Sequence, residues 1–187
     1  MAPKSGLAQE SAFFVQGFLS TEIGIYKPYS IDANPSKPFK NVQGAKPFAG
    51  IAFQSPMWKS TAFRVTIFQW QQENVIKNNS LETVTLRHLS CDLKNYIINQ
   101  YRISPFTTYG LALIWSREAP TISTGQKVPL DRAGYGVNVG AGVDFQIATH
   151  WGFSAEYQYL YAKFEKVVGL TDNYSGPKLS FKIVYIF

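Results

Sequence analysis

Two residues of this chain have the types and the spacing of a catalytic pair. His88 and Ser90 stand two positions apart, which on a strand places a potential base and a potential nucleophile on the same face. An activated nucleophile also needs an orienting acidic group within reach, and no acidic residue follows at a similar spacing in the next alternating run. We therefore predict no catalytic residue, and we expect the protein not to be an enzyme.

A second set of reactive groups consists of charged residues at polar positions of alternating runs, where all of them would face one interior. They are Glu22, Arg64, Asp92, Lys94, Asp144, Glu156 and Lys182. Buried charges must be paired, and four acids nearly balance three bases with His88 in reserve. We predict a salt-bridge network that fills the lumen; a path for protons or ions is the alternative. Hydrolysis by Asp144 and Glu156 would need substrate access that a filled lumen does not give.

The histidine and cysteine content argues against a metal site. The chain has two separated histidines, His88 and His150, and one cysteine, Cys91. This set does not supply convergent metal ligands, so neither a metal nor a cofactor is expected. A lone cysteine cannot form an intramolecular disulfide, and we interpret Cys91 as a small buried hydrophobe.

The elements that must position these residues are strands with a period of two. In the clearest run, residues 135–147, apolar residues at odd positions alternate with Gly, Asn, Asp and Gln at even ones. This run exceeds an ordinary soluble strand and is long enough to cross a membrane at a tilt, which takes ~9–11 residues. Comparable runs lie at 15–25, 49–54, 63–67, 89–94, 109–116, 153–161 and 179–187. Eight runs predict an all-β fold, an eight-stranded antiparallel up-and-down transmembrane β-barrel.

Aromatic residues make up 16% of the chain, and their positions favour a membrane barrel. Those assigned to aromatic belts are Trp58, Trp115, Trp151, Tyr157, Tyr159 and Tyr161, with Trp70 at an outer strand end. Two places fit the alternation poorly. Arg87 has the lipid-facing parity of its strand, whereas Phe68 and Trp70 have the lumen parity of theirs. A β-bulge would restore the phase, or these positions lie above the bilayer.

The connectors sort by length and charge. Those after the first, third, fifth and seventh runs, at 27–47, 73–80, 118–132 and 168–176, are longer and polar, whereas those at 55–60 and 148–152 are short. The connector after the fourth run, at 95–104, is an exception, because it is long for a periplasmic turn. Long outer loops and short periplasmic turns are typical of barrels. The loops carry more bases than acids, Lys178 among the bases, and the predicted basic outer rim comprises Lys37, Lys40, Lys46, Lys127, Arg132 and Lys166. Lipopolysaccharide phosphates lie at that level, and a merely solvated surface is the alternative. Scattered bases do not form the single face that binding nucleic acid requires.

Three segments resemble the opacity-protein and OmpA-like family of eight-stranded outer-membrane barrels. Residues 134–160 resemble the last hairpin of that family, and 104–110 resemble the entry to its fifth strand, although Thr108 replaces the usual proline. The ending Leu-Ser-Phe-Lys-Ile-Val-Tyr-Ile-Phe resembles its closing strand, with aromatic residues at the last and third-last positions. The resemblance implies that the outer-membrane assembly machinery recognises this ending and that it forms the periplasmic girdle. The residues concerned are Phe181, Ile183, Tyr185 and Phe187.

Pattern and resemblance together predict one outer-membrane barrel domain over residues 12–187, after a disordered segment at 1–11. The chain begins without the apolar region of a signal peptide, so we interpret it as an exported, mature chain with an added first Met. We expect a structural or surface-interaction role through the extracellular loops, without catalysis. The expected partners are outer-membrane lipids and lipopolysaccharide, and another surface protein is a further candidate.

Three rival functions remain in view at this point. The first is a lipid-modifying enzyme of the outer membrane. In the lipid A deacylases the His-x-Ser pair lies on the next-to-last strand, where this chain has residues 155–158 without either residue. The second is a small pore. The third, a soluble lipocalin-like binder, is disfavoured by the outward stripe of Tyr157, Tyr159 and Tyr161.

Overall fold

The computed structural model describes residues 16–28, 45–77, 80–98, 102–120, 130–169 and 171–187. The predicted disordered segment at 1–11 lies outside this range. Within the described residues there are nine strands. They are β1 Phe18–Tyr26, β2 Lys46–Gln54, β3 Thr61–Lys77, β4 Ser80–Tyr96, β5 Ile103–Pro120, β6 Leu130–Ala148, β7 Trp151–Val168, β8 Thr171–Asn173 and β9 Gly176–Ile186.

Eight of these strands close into a ring. Each strand from β1 to β7 pairs antiparallel with the next, and β9 pairs with both β7 and β1. The closing seam is in register from Phe18 opposite Ile186 to Tyr26 opposite Lys178. The three-residue β8 pairs only with the end of β7 and stands outside the ring. The predicted eight-stranded antiparallel barrel is therefore confirmed.

The described residues contain no helix long and apolar enough to cross a membrane.

The two ends of the barrel differ in their connectors. At the turn end lie both described chain termini and the short connections 55–60 and 149–150; at the loop end lie the connections after β1, β3, β5 and β7. The predicted connector at 73–80 is wrong, because β3 continues to Lys77 and β4 begins at Ser80, with a bulge between Gln72 and Val75.

The outward face of the ring is an apolar belt. The apolar side chains exposed on this face include Ile23, Ile51, Leu111, Val137, Val139, Tyr157 and Ile183. Their neighbours at even positions, such as Asn138, Gln158 and Lys182, are buried. Glycines on the inward face of β6 make room for bulky partners, since a Cβ on Gly142 would lie 2.5 Å from Cζ of Phe106. The strand parity expected from the sequence is thus present in the structure.

The interior has three layers along the barrel axis. An apolar cluster fills the turn end and comprises Phe18, Ala62, Tyr96, Phe106, Val184 and Ile186. A larger apolar cluster fills the loop end and includes Tyr26, Phe48, Phe68, Trp70, Leu86, Ile114, Phe164 and Tyr174. The charged residues lie between these two layers. An eight-stranded barrel is just wide enough for side chains to fill it, as they do here.

Two sequence assignments are wrong at this level, the belt position of Trp70 and the burial of Cys91. Phe68 and Trp70 keep the inward phase of β3 without a bulge before them, and both are buried in the loop-end cluster. Trp70 is therefore a core residue and does not belong to an aromatic belt. Cys91 is exposed on the outward face of β4, so it is not a buried hydrophobe. Arg87 also points outward, immediately beyond the belt.

Candidate functional site

Arg64 on β3 is the centre of the charged layer. Its guanidinium donates two hydrogen bonds to Glu156, at 2.7 and 2.8 Å, and two to Oδ2 of Asp92, at 2.9 and 3.2 Å. All three side chains are buried. Asn138 donates to the other oxygen of Asp92 at 2.9 Å, and Thr108 donates to Glu156 at 2.8 Å. Both carboxylates are thus satisfied from several strands, which fixes these side chains across the lumen.

Lys94 on β4 extends the layer toward the turn end. Its Nζ lies 2.5 Å from Oδ2 of Asp144, and Tyr96 donates a hydrogen bond to the same oxygen at 2.7 Å. The ammonium also stands over the Phe106 ring, 3.7 Å from its centroid. A carboxylate and aromatic faces together compensate for the water that this buried cation has lost.

Lys178 on β9 supplies the fourth base of the layer, and the sequence assignment of this residue to a loop is wrong. Its Nζ lies 2.8 Å from Oε1 of Glu22 and 4.4 Å from the centroid of Phe68. Lys182 pairs with Glu156 and lies 3.9 Å from Glu22. We call the eight charged residues the lumen network. They are Glu22, Arg64, Asp92, Lys94, Asp144, Glu156, Lys178 and Lys182.

The lumen network contains four acids and four bases, so its formal charge is zero. All seven residues that the sequence placed in the lumen are brought together here. His88, held in reserve as a base, is not part of the network: it is buried and stacks on Phe68 with ring centroids 4.4 Å apart. Ser90 donates a 3.3 Å hydrogen bond to Asp92. Neither residue reaches the other as a nucleophile reaches its base.

The connector between β7 and β9 folds into the loop end of the lumen. Tyr174 is fully buried, and its ring packs edge-on against Trp70 and Phe164 with centroids 6.3 and 5.7 Å away. Its hydroxyl donates to the Val168 carbonyl at 2.7 Å. Gly169 has a φ of 60°, which allows the tight turn that sends the chain inward. The side chain of Tyr174 therefore fills part of the lumen above the charged layer.

The basic outer rim is only partly described. Lys46 and Lys166 are exposed, and Arg132 is half-buried with its Nε 4.0 Å from Glu118. Lys37, Lys40 and Lys127 lie outside the described residues. Arg117, which the sequence placed among the loop bases, is exposed on this surface. Arg87 is exposed there as well, and sequence reasoning did not assign it to the rim. The available signal was the change from apolar to charged outward residues along β4.

Apart from Trp70, the aromatic residues assigned to belts lie on the outer surface. The exposed members of the predicted belts are Trp58, Trp115, Trp151, Tyr157, Tyr159 and Tyr161. The C-terminal residues Phe181, Ile183, Tyr185 and Phe187 are exposed as well. Phe187 stacks on Phe53 with centroids 6.3 Å apart, and Phe153 stacks on Phe181 at 6.0 Å. Among the described residues, no three His, Cys, Asp or Glu side chains gather as metal ligands.

The closed ring of eight strands, its apolar exterior and the paired charges in its interior are features of a β-barrel that spans a membrane. No protein-family model matches the sequence, and no curated protein matches it significantly. Among solved structures, Neisserial surface protein A is similar, with a TM-score of 0.67 and 14% identity over 91% of this chain and 97% of that one. A major outer membrane protein from Thermus thermophilus has a TM-score of 0.60 and 9% identity over 91% and 99% of the two chains.

A third similar structure is Ail, the attachment invasion locus protein of Yersinia pestis, in complex with the heparin analogue sucrose octasulfate. Its TM-score is 0.57, with 13% identity over 92% of this chain and 99% of that one. The chain therefore has the fold of the small outer-membrane β-barrels. The resemblance to opacity-protein and OmpA-like barrels is confirmed at the level of the fold.

Proposed function

We propose that the protein is a closed outer-membrane barrel whose wall anchors it in lipid and whose loop end makes contacts at the cell surface. The observation that carries this proposal is the lumen. Four buried acids and four buried bases pair between two apolar layers, and Tyr174 fills part of the loop end. We assign contacts with lipopolysaccharide or another surface protein to the wall and the loop end.

The exposed apolar belt supports the membrane location. Side chains such as Ile23, Leu111, Val139 and Ile183 are between 59 and 68% exposed. A soluble protein rarely carries so continuous an apolar surface, whereas lipid solvates it. Long connectors face outward in barrels of this fold, so we assign the loop end to the cell exterior and the turn end to the periplasm.

Planar-bilayer recording tests the closed lumen against the rival function of a small pore. We expect no steady conductance from the purified, refolded protein, because paired charges and apolar layers fill the interior formed by the described residues. Stable single-channel currents from the wild-type chain would overturn the proposal. A pull-down from intact outer membranes would identify the surface partner.

The rival function of a lipid-modifying enzyme is tested separately. Mass spectrometry of lipid A should give the same species from cells with and without the protein, because His88 stacks on Phe68 inside the lumen and Ser90 is bonded to Asp92. A changed acylation pattern would assign an enzymatic function.

The exposed ending supports a contact with the assembly machinery during biogenesis. Phe187 is 58% exposed at the turn end, and it is the last residue of the closing strand's aromatic series. Deleting Phe187 should lower the yield of folded barrel in the outer membrane of living cells, whereas Phe187→Tyr should keep it. Equal yields from the deletion and the wild type would remove this role.

A further inference from the structure

Arg87 marks the edge of the apolar belt on β4. From Arg87 toward the turn end, the outward side chains of β4 are Leu89, Cys91 and Leu93. Toward the loop end, Arg87 is the first charged side chain on this face. Its Nε donates a 3.2 Å hydrogen bond to the neutral amide of Gln69. The guanidinium therefore lies at the level where acyl chains give way to headgroups.

Two surface grooves meet at Arg87. One, of about 500 Å³, lies toward the rim across β4, β5 and β6, and its lining includes Arg87, Trp115, Arg117, Asp131 and Arg132. The other, also about 500 Å³, crosses β2, β3 and β4, and its apolar lining includes Ala49, Ile51 and Ile67. A recess at the rim whose lining includes charged side chains thus continues, past Arg87, into an apolar recess in the belt.

The groove at the rim contains more cations than carboxylates on its outward face. Within the described part of the chain, neither Arg87 nor Arg117 forms an ion pair with a carboxylate. Asp131 stands opposite Arg117 in the register and lines the same groove, and Arg132 is 4.0 Å from Glu118. Arg132 and Glu118 have the inward phase of their strands. On the outward face, the guanidiniums of Arg87 and Arg117 therefore lie beside one carboxylate of the groove lining, that of Asp131, in contrast to the neutral lumen network.

We propose that these two grooves together bind one lipopolysaccharide molecule through its lipid A part. Its phosphate lies on Arg87 and Arg117, its sugar lies against Trp115, and one acyl chain follows Ala49 and Ile67. Guanidinium groups bind phosphate through two parallel hydrogen bonds, and a tryptophan at the membrane interface suits an amphipathic headgroup. This inference rests on the proposed function, which assigns the loop end to the outer leaflet where lipopolysaccharide resides.

Native mass spectrometry of the refolded chain, titrated with bisphosphorylated lipid A, tests the site. The variant Arg87→Gln/Arg117→Gln removes both phosphate donors. Lys163→Gln is the control, because it removes an exposed charge from the outward face of β7 and Lys163 lines neither groove. Two charge-assisted hydrogen bonds are lost in the first variant, so lipid A should bind about tenfold more weakly or worse. The control should stay within about twofold of the wild type.

Dephosphorylated lipid A and phosphatidylglycerol complete the comparison. The arginine variant should bind dephosphorylated lipid A as well as the wild type does, since no phosphate contact remains to be lost. Ala49→Phe should fill the apolar groove and weaken both forms of lipid A. Phosphatidylglycerol should bind more weakly than lipid A to the wild type.

Several results would overturn the site. Equal losses in the arginine and lysine variants would mean diffuse attraction to the rim, and equal binding of phosphatidylglycerol would mean that any anionic lipid suffices. If the chain inserts into bilayers without conducting but retains no lipid A, this inference fails and the proposed function stands. If the chain does not insert, the proposed function itself fails.

Discussion

The lumen and the outer wall at the loop end use the same charged residue types in opposite ways. In the lumen, Arg64 is 1% exposed and holds two carboxylates within hydrogen-bond distance. On the wall, Arg87 is exposed and, within the described residues, donates its hydrogen bond to the neutral Gln69. Burial explains the difference, because an unpaired charge costs several kcal/mol inside and little where water or headgroups solvate it. Inner charges therefore hold the barrel together, and outer charges remain available to a ligand.

Removing Arg64 should break this arrangement most severely. Arg64→Ala leaves Asp92 without its cation and deprives Glu156 of a bidentate partner inside the lumen. We expect a loss of about 3–5 kcal/mol in the free energy of unfolding, which is the scale for breaking a buried pair from one side. Equilibrium unfolding in urea, with the protein refolded in lipid vesicles, measures it.

Arg87→Ala is the control for that experiment. It removes the same functional group from the outer wall and should change the free energy of unfolding by less than about 0.5 kcal/mol. Similar losses at both positions would contradict the distinction between inner and outer charges.

Placing a new arginine on the belt sharpens the comparison from the lipid side. Val139 is 61% exposed in the middle of β6, so Val139→Arg should cost about 2–4 kcal/mol in lipid vesicles. Ala133 faces outward on the same strand beside Trp115, at the belt edge. Ala133→Arg should cost only about 0–1 kcal/mol. If both variants lost the same stability, the apolar belt would not mark the depth of the bilayer.

Lys182→Ala should have an intermediate effect, because the network contains redundant partners. Without Lys182, Glu156 still accepts hydrogen bonds from Arg64, and Oε1 of Glu22 still lies 2.8 Å from Nζ of Lys178. The expected loss is about 1–3 kcal/mol, the scale for one missing partner of a buried polar group. A loss as large as that of Arg64→Ala would mean that Lys182 alone supports both carboxylates. A change near zero would mean a hydrated lumen and would favour a pore.

The sequence predicted the strand parity correctly because a period of two leaves little freedom once one face must meet lipid. At the loop end it left a bulge and a position above the bilayer as alternatives, because polarity inverts there while the phase continues. On β3 the outward residues become Gln69 and Gln71, whereas the inward ones become Phe68 and Trp70. The wall beyond the belt has a polar outside and an apolar inside, like a soluble barrel. A bulge was therefore not needed to explain these aromatic residues.

Lys178 was missed for a related reason. It follows Gly176 and Pro177, which read as a turn, so the alternation of the last strand seemed to begin at Leu179. In the structure β9 already begins at Gly176, and Lys178 faces inward opposite Tyr26. The shortage of one base in the predicted network was the available signal, since four buried acids require a fourth cation.

The smallest effect is expected at Lys166, which is exposed near the end of β7. Lys166→Ala removes an ammonium group from the outside of the barrel, and Lys182→Ala removes one from the inside. The two variants therefore compare the same type of group in the two environments. An exposed charge keeps most of its hydration in either state of the chain, and salt screens its neighbours over about 10 Å at 0.1 M. The free energy of unfolding in vesicles should therefore change by less than about 0.5 kcal/mol, at low salt as well as at high salt. A loss above about 1 kcal/mol that disappears at high salt would show that rim charges also stabilise the barrel, and the division between inner and outer charges would then be one of degree.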